Sequence, residues 1–419
     1  MAIEDIDSSR LERNLDALCK IGKNRDGGID RQLATPADLQ AREWLRAYWE
    51  QMGLTVHSDA VANLYAVLPG REPGLAPITV GSHHDTVPNG GKYDGAMGVL
   101  LATELAQSLQ DAGTALRHPL CVCSFTGEEP SDYGVSTFGS KVLAGRLGSA
   151  DLMRQRHAVT GETLAAAVAR LGGEPGAADQ NRLRPGDWAC FIECHNELGR
   201  VLFDEGLAVG VVDCITGIYR ETVEVTGTPN HAGTTQMPHR RDALLAASLF
   251  ALEFEALLRA YDDPQLVGTI GHIEVWPNAS NIIPGRVVMA LEMRCCDPAL
   301  RADVLQKMEA MTRRVADQRG VHIHRRLVLD QAETQMSPLV QKALLAASAQ
   351  CGQPERVMAS MAGHDAANIA RSTPAGMLFT QSVDGLGHCP QEYTRAEDIY
   401  TAGRVLLAAV QHLDEELDR

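Results

Sequence analysis

Two short apolar runs, Ile78–Gly81 and Leu120–Phe125, each stop at a cluster of imidazole or carboxylate side chains, and a strongly apolar stretch, Gly98–Gln110, lies between them. Strand, loop, helix, strand is the order of an α/β unit and predicts a largely parallel sheet flanked by helices. Ligands of such sheets gather at the carboxyl ends of the strands. His83 and Asp85 follow the first run, and Glu128 and Glu129 follow the second. The reactive groups therefore stand where this architecture puts a binding site.

At 419 residues the chain exceeds what one core usually serves, and two domains are expected. Helices are predicted over 9–21 and 36–52. The second has a capping Thr35, Pro36 in its first turn and Asp38 at its positive end. Asn63–Leu68 reads as a further strand. From about 215 the order changes: Thr222–Thr226, helix Arg241–Leu258, Gly268–Val275, Arg286–Arg294, helix Asp303–Asp317 and Val321–Leu329. This β-α-β-β-α-β order predicts a ferredoxin-like α+β domain over 215–330. Gln331–Ser337 reads as a return linker, after which the helix Pro338–Ala349 and the strand Ala375–Thr380 resume the first pattern. The smaller domain is thus expected to be inserted into a larger one formed by 1–214 and 331–419.

The net charge of −16 does not suit a polyanion, so nucleic acid is excluded as a natural partner. No apolar run is long enough to span a membrane. The acidic opening segment has no apolar signal core, and the ten cysteines form no paired framework. Both point to reduced thiols in a cytoplasmic protein.

His83, Asp85 and Asp94 share one glycine-rich loop. By itself that is also the composition of a polar surface loop, and Glu128-Glu129 could be a solvated acidic turn. Adjacent carboxylates after a buried strand repel each other, however, and are costly to desolvate. A cation removes that cost: one carboxylate ligates it and the neighbour is left as a general base. His195, His231, His364 and His388 lie in polar, glycine-containing settings, where a lone histidine is more often structural. Taken together, His83, Asp94, Glu129, His195 and His388 supply three imidazoles and two carboxylates. That is enough for a pair of Zn, Mn, Co or Ni ions bridged by a shared carboxylate. Arg294, at the end of a predicted strand, offers a fork for a substrate carboxylate or a surface ion pair. Asn281 lies in the loop before that strand.

GSHHDTVPNGGKYDGAMGV (81–99), HAGTTQMPHRRDAL (231–244), PNASNIIPG (277–285) and GHDAANIA (363–370) are long matches to one family. The chain resembles the M20 metallopeptidase-type amidohydrolases, specifically the hydantoinase/carbamoylase group. The resemblance runs from Gly27 to Glu392. It implies a zinc-aminopeptidase-like catalytic domain with an inserted lid and dimerisation domain. It also implies that His83 and His195 hold one metal, that Glu129 and His388 hold the second, and that Asp94 bridges them. Asp85 would orient His83, and Glu128 would be the general base. His231 would stabilise the oxyanion from the neighbouring subunit, which makes the protein a homodimer. Asn281 and Arg294 would grip the substrate carboxylate, with His364 near the substrate. Three positions depart from the pattern: Leu198 where Gln is usual, Gly387 where Ser is common, and the Pro130–Tyr133 loop where relatives often have Gly-x-Arg-Phe.

The implied reaction is hydrolysis of the C–N bond of an N-carbamoyl (ureido) amino acid to amino acid, ammonia and carbon dioxide. Alternatives are an N-acyl-amino acid amidohydrolase or dipeptidase of the same fold, and an allantoate amidohydrolase. A non-catalytic binding protein on this fold is the reading from another class, and it has no need of paired carboxylates.

Overall fold

The computed structural model describes residues 5–417. Its contacts divide the chain into two compact units. Residues up to Asp213 and from Gln335 onward form one, and Cys214–Thr334 form the other. Strands are numbered in chain order. The first unit carries β1 (Thr55–Ser58), β2 (Leu64–Leu68), β3 (Ile78–His83), β4 (Leu120–Phe125), β5 (Cys190–Asn196) and β6 (Val209–Ile215), which crosses into the second. The second holds β7 (Gly217–Thr226), β8 (Asn230–His231), β9 (Val267–Trp276), β10 (Ile282–Ile283), β11 (Arg286–Cys295) and β12 (His322–Gln331). β13 (Thr334–Gln335) lies at the return, followed by β14 (Val357–Ser360) and β15 (Ala375–Thr380).

In the first unit the sheet order is β1-β2-β4-β3-β5-β15-β6-β13, with β14 also on β6. Its centre, β4-β3-β5-β15, is parallel, and β2 and β6 join it antiparallel. This is the mixed, largely parallel α/β sheet expected from the sequence. Strands buried on both faces carry near-continuous apolar runs, and β3, β4, β5 and β15 are buried along their whole length. Helices Ala96–Asp111 and Ala396–Glu416 pack on this core through Leu100, Leu101, Val405 and Leu406. Thr35 caps helix Pro36–Gln51 as expected, accepting from the Asp38 amide. Asp38 goes beyond a dipole role: it is fully buried and binds Arg42 and His84.

The second unit is an antiparallel sheet, β12-β7-β11-β9, with helices Ala243–Arg259 and Pro298–Arg319. Its core joins Val223, Val225, Phe250, Phe254, Val287, Met289 and Met308. The stretch read as a linker from Gln331 begins inside β12, because the ladder to β7 continues to Gln331 opposite Ile218. All ten cysteines are free thiols. Among the described residues, no helix is long and apolar enough to cross a membrane.

Candidate metal centre

The parallel strands end side by side, and their carboxyl ends deliver the reactive groups. His83 is the last residue of β3, Glu128 and Glu129 follow β4, His195 lies near the end of β5, and His388 follows β15. Asp94 comes from the loop between β3 and helix Ala96–Asp111. Gly95 caps that helix with φ +61°. A Cβ at Gly95 would sit 2.3 Å from the His83 ring, so the loop passes the imidazole only as glycine.

The structure brings all five proposed ligands together in two groups that share Asp94: His83, Asp94 and His195, and Asp94, Glu129 and His388. Asp94 Oδ1 faces His195 Nε2 at 3.0 Å and His83 Nε2 at 3.6 Å. Asp94 Oδ2 faces His388 Nε2 at 3.2 Å, and that nitrogen is 3.5 Å from Glu129 Oε1. One carboxylate thus turns each oxygen to a different set of donors. Glu128 stands beside them, its Oε2 3.7 Å from His83 Nε2.

The surroundings fix these orientations. His83 Nδ1 contacts the Asp85 carbonyl at 3.1 Å, and His195 Nδ1 the Asn196 carbonyl at 2.9 Å, so both rings turn Nε2 inward. The Asp85 carboxylate accepts from the amides of Glu128 and Glu129 at 3.2 and 3.1 Å. It therefore clamps the turn that carries both glutamates as well as lying against His83. Sequence reasoning missed Glu392. This buried carboxylate accepts from the amides of Tyr93, Asp94 and His388, and so ties two ligand loops together. Its only sequence signal was a carboxylate shortly after a candidate imidazole. Glu193 was also missed; it and Asp365, which adjoins the candidate His364 in the chain, are fully buried, bound to Ser82 and Ser140 respectively.

The electrostatics are those of an anion-rich cage. Burial, then Asp94, pushes the Glu129 carboxyl up to about 8. Burial, with Glu129 adding to it, raises Glu128 well above the carboxylate range. The Asp94 carboxylate facing it lifts His388 to about 9. Asp94 is held well below its ordinary value despite burial, because the imidazoles of His195 and His388 stand against its two oxygens. Asp94 Oδ2 and Glu129 Oε1 are buried with no hydrogen-bond partner among the described residues. Two unsatisfied carboxylate oxygens converging with imidazole nitrogens form a donor set that fits a divalent cation.

His364 is buried, its Nε2 2.9 Å from Ser360 Oγ and its ring edge-on to His195 at 4.7 Å. Burial, then His195, lowers its pKa well below the usual imidazole value, so it packs as a neutral ring. The loop at Pro130–Tyr133 turns Tyr133 towards Glu162, to which the phenol donates at 2.7 Å.

His231, Asn281 and Arg294 belong to the second unit. His231 is exposed on β8, opposite Ile282, and the Asn281 carbonyl accepts from the Ala232 amide, so these two are neighbours. Arg294 is not their neighbour. It pairs with Ile218 and Val267 at one end of the sheet, while Arg286, next to the Asn281 loop, pairs with Thr226 and Trp276 at the other. Roughly 26 Å of strand lies between Arg286 and Arg294. Arg294 Nε donates to Glu292.

Residues 79–412 match the peptidase family M20/M25/M40. The chain is 33% identical over 408 residues to the N-carbamoyl-L-amino acid amidohydrolase of Geobacillus stearothermophilus, covering 97% of this chain and 99% of that one. It is 34% identical over 394 residues to the allantoate amidohydrolase of Bacillus subtilis, covering 93% of each. A solved amidase of the hydantoinase/carbamoylase family from Burkholderia multivorans superposes with a TM-score of 0.91 at 31% identity, over 99% of both chains. The chain belongs to peptidase family M20/M25/M40, a family of metal-dependent hydrolases. Its kinship lies with the amidohydrolases that cut C–N bonds.

Proposed function

We propose that the protein hydrolyses the C–N bond of N-carbamoyl amino acids with two divalent cations in each subunit. The observation that carries this reading is the Asp94 carboxylate, whose two oxygens face two separate sets of ligands. His83, His195 and Asp94 Oδ1 would hold one ion, and Glu129, His388 and Asp94 Oδ2 the other. Zinc, manganese, cobalt or nickel, when bound, supplies Lewis-acid polarisation of the scissile carbonyl and makes the attacking water acidic at neutral pH.

Glu128 takes the proton from that water and returns it to the leaving nitrogen. Burial raises the proton affinity of this carboxyl, which suits a group that must accept a proton and then release it. Asp85 positions Glu128 by holding its amide, and it backs His83. The products of a carbamoyl substrate are the amino acid, ammonia and carbon dioxide. Kinship with an N-carbamoyl-L-amino acid amidohydrolase supports this substrate class.

The second unit serves as lid and dimerisation domain in this reading, with His231 stabilising the oxyanion in the partner's site. An edge strand and exposed apolar side chains support pairing with a second copy. β9 is an edge strand, pairing only with β11 among the described residues, with Ile273 and Trp276 exposed. Leu245 and Leu252 are exposed on helix Ala243–Arg259, at the i, i+7 spacing of one helix face. Because Arg294 and Asn281 stand at opposite ends of one sheet, a carboxylate gripped by both draws them from two copies. A cytoplasmic setting, supported by ten free thiols, completes the proposal.

The test is ammonia release from N-carbamoyl amino acids by metal-loaded protein, with metal counted per subunit. Two ions per subunit and turnover are expected. Metal binding with cleavage of N-acetyl amino acids or dipeptides alone would reject the carbamoyl reading.

A further inference from the structure

A cavity of about 250 Å³ lies in the first unit, where helix Ser8–Cys19, the start of helix Ala396–Glu416 and the loop that carries Tyr93 meet. Leu11 and Leu15 give it an apolar side. The rings of Tyr93 and Tyr393 stand edge to face in its wall, with centroids 6.0 Å apart and planes at 74°. Glu12 and Glu397 line it as well; both are exposed, and neither carboxylate forms an ion pair among the described residues. Thr394, also in the lining, is 1% exposed, and its hydroxyl has no hydrogen-bond partner among the described residues. The lining's cation, Lys92, is already engaged: its Nζ lies 2.6 Å from Asp16 Oδ1 and 5.2 Å from the centre of the Tyr93 ring. None of these residues is a candidate metal ligand, although Tyr93 directly precedes Asp94.

We propose that this cavity is a second ligand site, separate from the metal centre, for a small organic cation: one ammonium head on a hydrocarbon body. The hydrocarbon packs against Leu11 and Leu15 and leaves water. The head needs partners once it is partly desolvated. Glu12 and Glu397 supply unpaired negative charge, the Tyr393 ring supplies a π face, and the Thr394 hydroxyl can accept an ammonium N–H. Lys92 shows the same mode within the protein, an ammonium set against a tyrosine ring and a carboxylate. An anion is disfavoured, because two carboxylates face it and the one lysine is committed to Asp16. A zwitterion gains from its ammonium and loses from its carboxylate for the same reason.

The test is calorimetric titration of the full chain with three compounds that share one body and differ in the head: 2-phenylethylamine, phenylalanine and 3-phenylpropanoate. The amine should bind saturably, one per subunit, phenylalanine more weakly, and the carboxylate not at all. Glu12→Gln combined with Glu397→Gln should weaken the amine roughly tenfold, the scale of one hydrogen bond to a charged group. Tyr393→Ala should weaken it about threefold, the scale of an exposed cation–π contact. All three substituted side chains are exposed, so these variants should keep the wild-type melting temperature. Glu128→Gln, in the metal centre, should leave amine binding unchanged. Absence of saturable amine binding overturns the site. Amine binding that these cavity variants leave unmoved, or that Glu128→Gln removes, overturns its location. Phenylalanine or 3-phenylpropanoate binding as tightly as the amine overturns the choice of a cation. Ligand binding is read directly, so none of these outcomes depends on which substrate the metal centre cuts.

Discussion

His83 and His84 are neighbours in the chain and both are buried, yet they end in opposite kinds of polar cluster. His84 joins Asp38, Arg42 and Ser124. Its Nε2 meets Asp38 Oδ1 at 2.8 Å and its Nδ1 meets Ser124 Oγ at 2.6 Å. Arg42 donates to Asp38 Oδ1, and the Ala34 amide donates to Oδ2. Both Asp38 oxygens are satisfied, and the cluster is closed. His83 joins Asp94, Glu128 and His195, and there Asp94 Oδ2 is buried with no hydrogen-bond partner among the described residues. The first cluster holds the fold together. The second is an incomplete shell of the kind that a cation would complete. A buried, fully paired network stabilises, whereas a buried, half-paired one costs free energy unless something binds there.

The largest expected effect separates the two clusters by activity. Glu128→Gln should reduce kcat by roughly 10²–10⁴-fold, the usual contribution of a general base, with metal content unchanged. Its melting temperature should not fall, because the amide replaces a group whose ionised form is costly to bury. A variant that retains turnover would remove Glu128 from the mechanism.

The mirror experiment acts on the closed cluster. Breaking a buried, hydrogen-bonded charge pair costs roughly 3–5 kcal/mol, so Asp38→Asn should lower stability on that scale. Denaturant titration measures it. The pH dependence carries a definite sign. Burial pushes the Asp38 carboxyl up, but Arg42 and the His84 hydrogen bond outweigh it and hold the group well below the usual carboxylate range. Its stabilisation is therefore fully present above pH ~4, the unfolded value, and is lost as pH falls towards the folded value. The Asn variant should lack that acid-side loss.

Metal counting sharpens the comparison further. Asp94→Ala should remove both ions and His388→Ala one, while Asp38→Asn should remove none, as read by elemental analysis after gel filtration. Equal losses in all three would show that the two clusters are not functionally distinct. The second unit allows a matching test of the dimer. A mixture of Glu128→Gln and His231→Ala subunits should regain up to about a quarter of wild-type activity by exchange, because half the dimers are mixed and each has one intact site. No regain after subunit exchange would exclude a shared site.

The sequence made much of this visible, and for physical reasons. β4 and β15 end where their apolar runs end, because strands buried on both faces carry a continuous apolar signal. Candidate ligands such as His83 and Glu129 were legible because imidazole and carboxylate after such strands have few other uses. Cys190–Asn196 was not read as a strand: Glu193, His195 and Asn196 interrupt its apolar pattern, and burial of the first two is sustained by partners far away in the chain. Glu392 escaped for the same reason, since its value lies in the three amides it accepts from. The distance between Asn281 and Arg294 was hidden as well, because spacing along the chain does not reveal which end of a sheet a residue occupies.

The smallest predicted effect tests the premise that an unsatisfied carboxylate alone does not make a metal site. Asp398, in the first turn of helix Ala396–Glu416, also has a buried oxygen, Oδ2, without a hydrogen-bond partner among the described residues. It belongs to neither of the ligand groups around Asp94. Burial, eased by Arg395 and aggravated by Glu397, pushes its carboxyl up to about 6. A raised carboxyl pKa means the folded state resists ionisation, so stability should fall as pH rises from ~4 to 6 and stay reduced above it. Asp398→Asn should therefore raise the melting temperature slightly at pH 8, lose that advantage below pH 4, and leave metal content and kcat unchanged. If it released metal instead, unpaired oxygens would be no guide to which buried carboxylates serve the cation and which merely strain the fold.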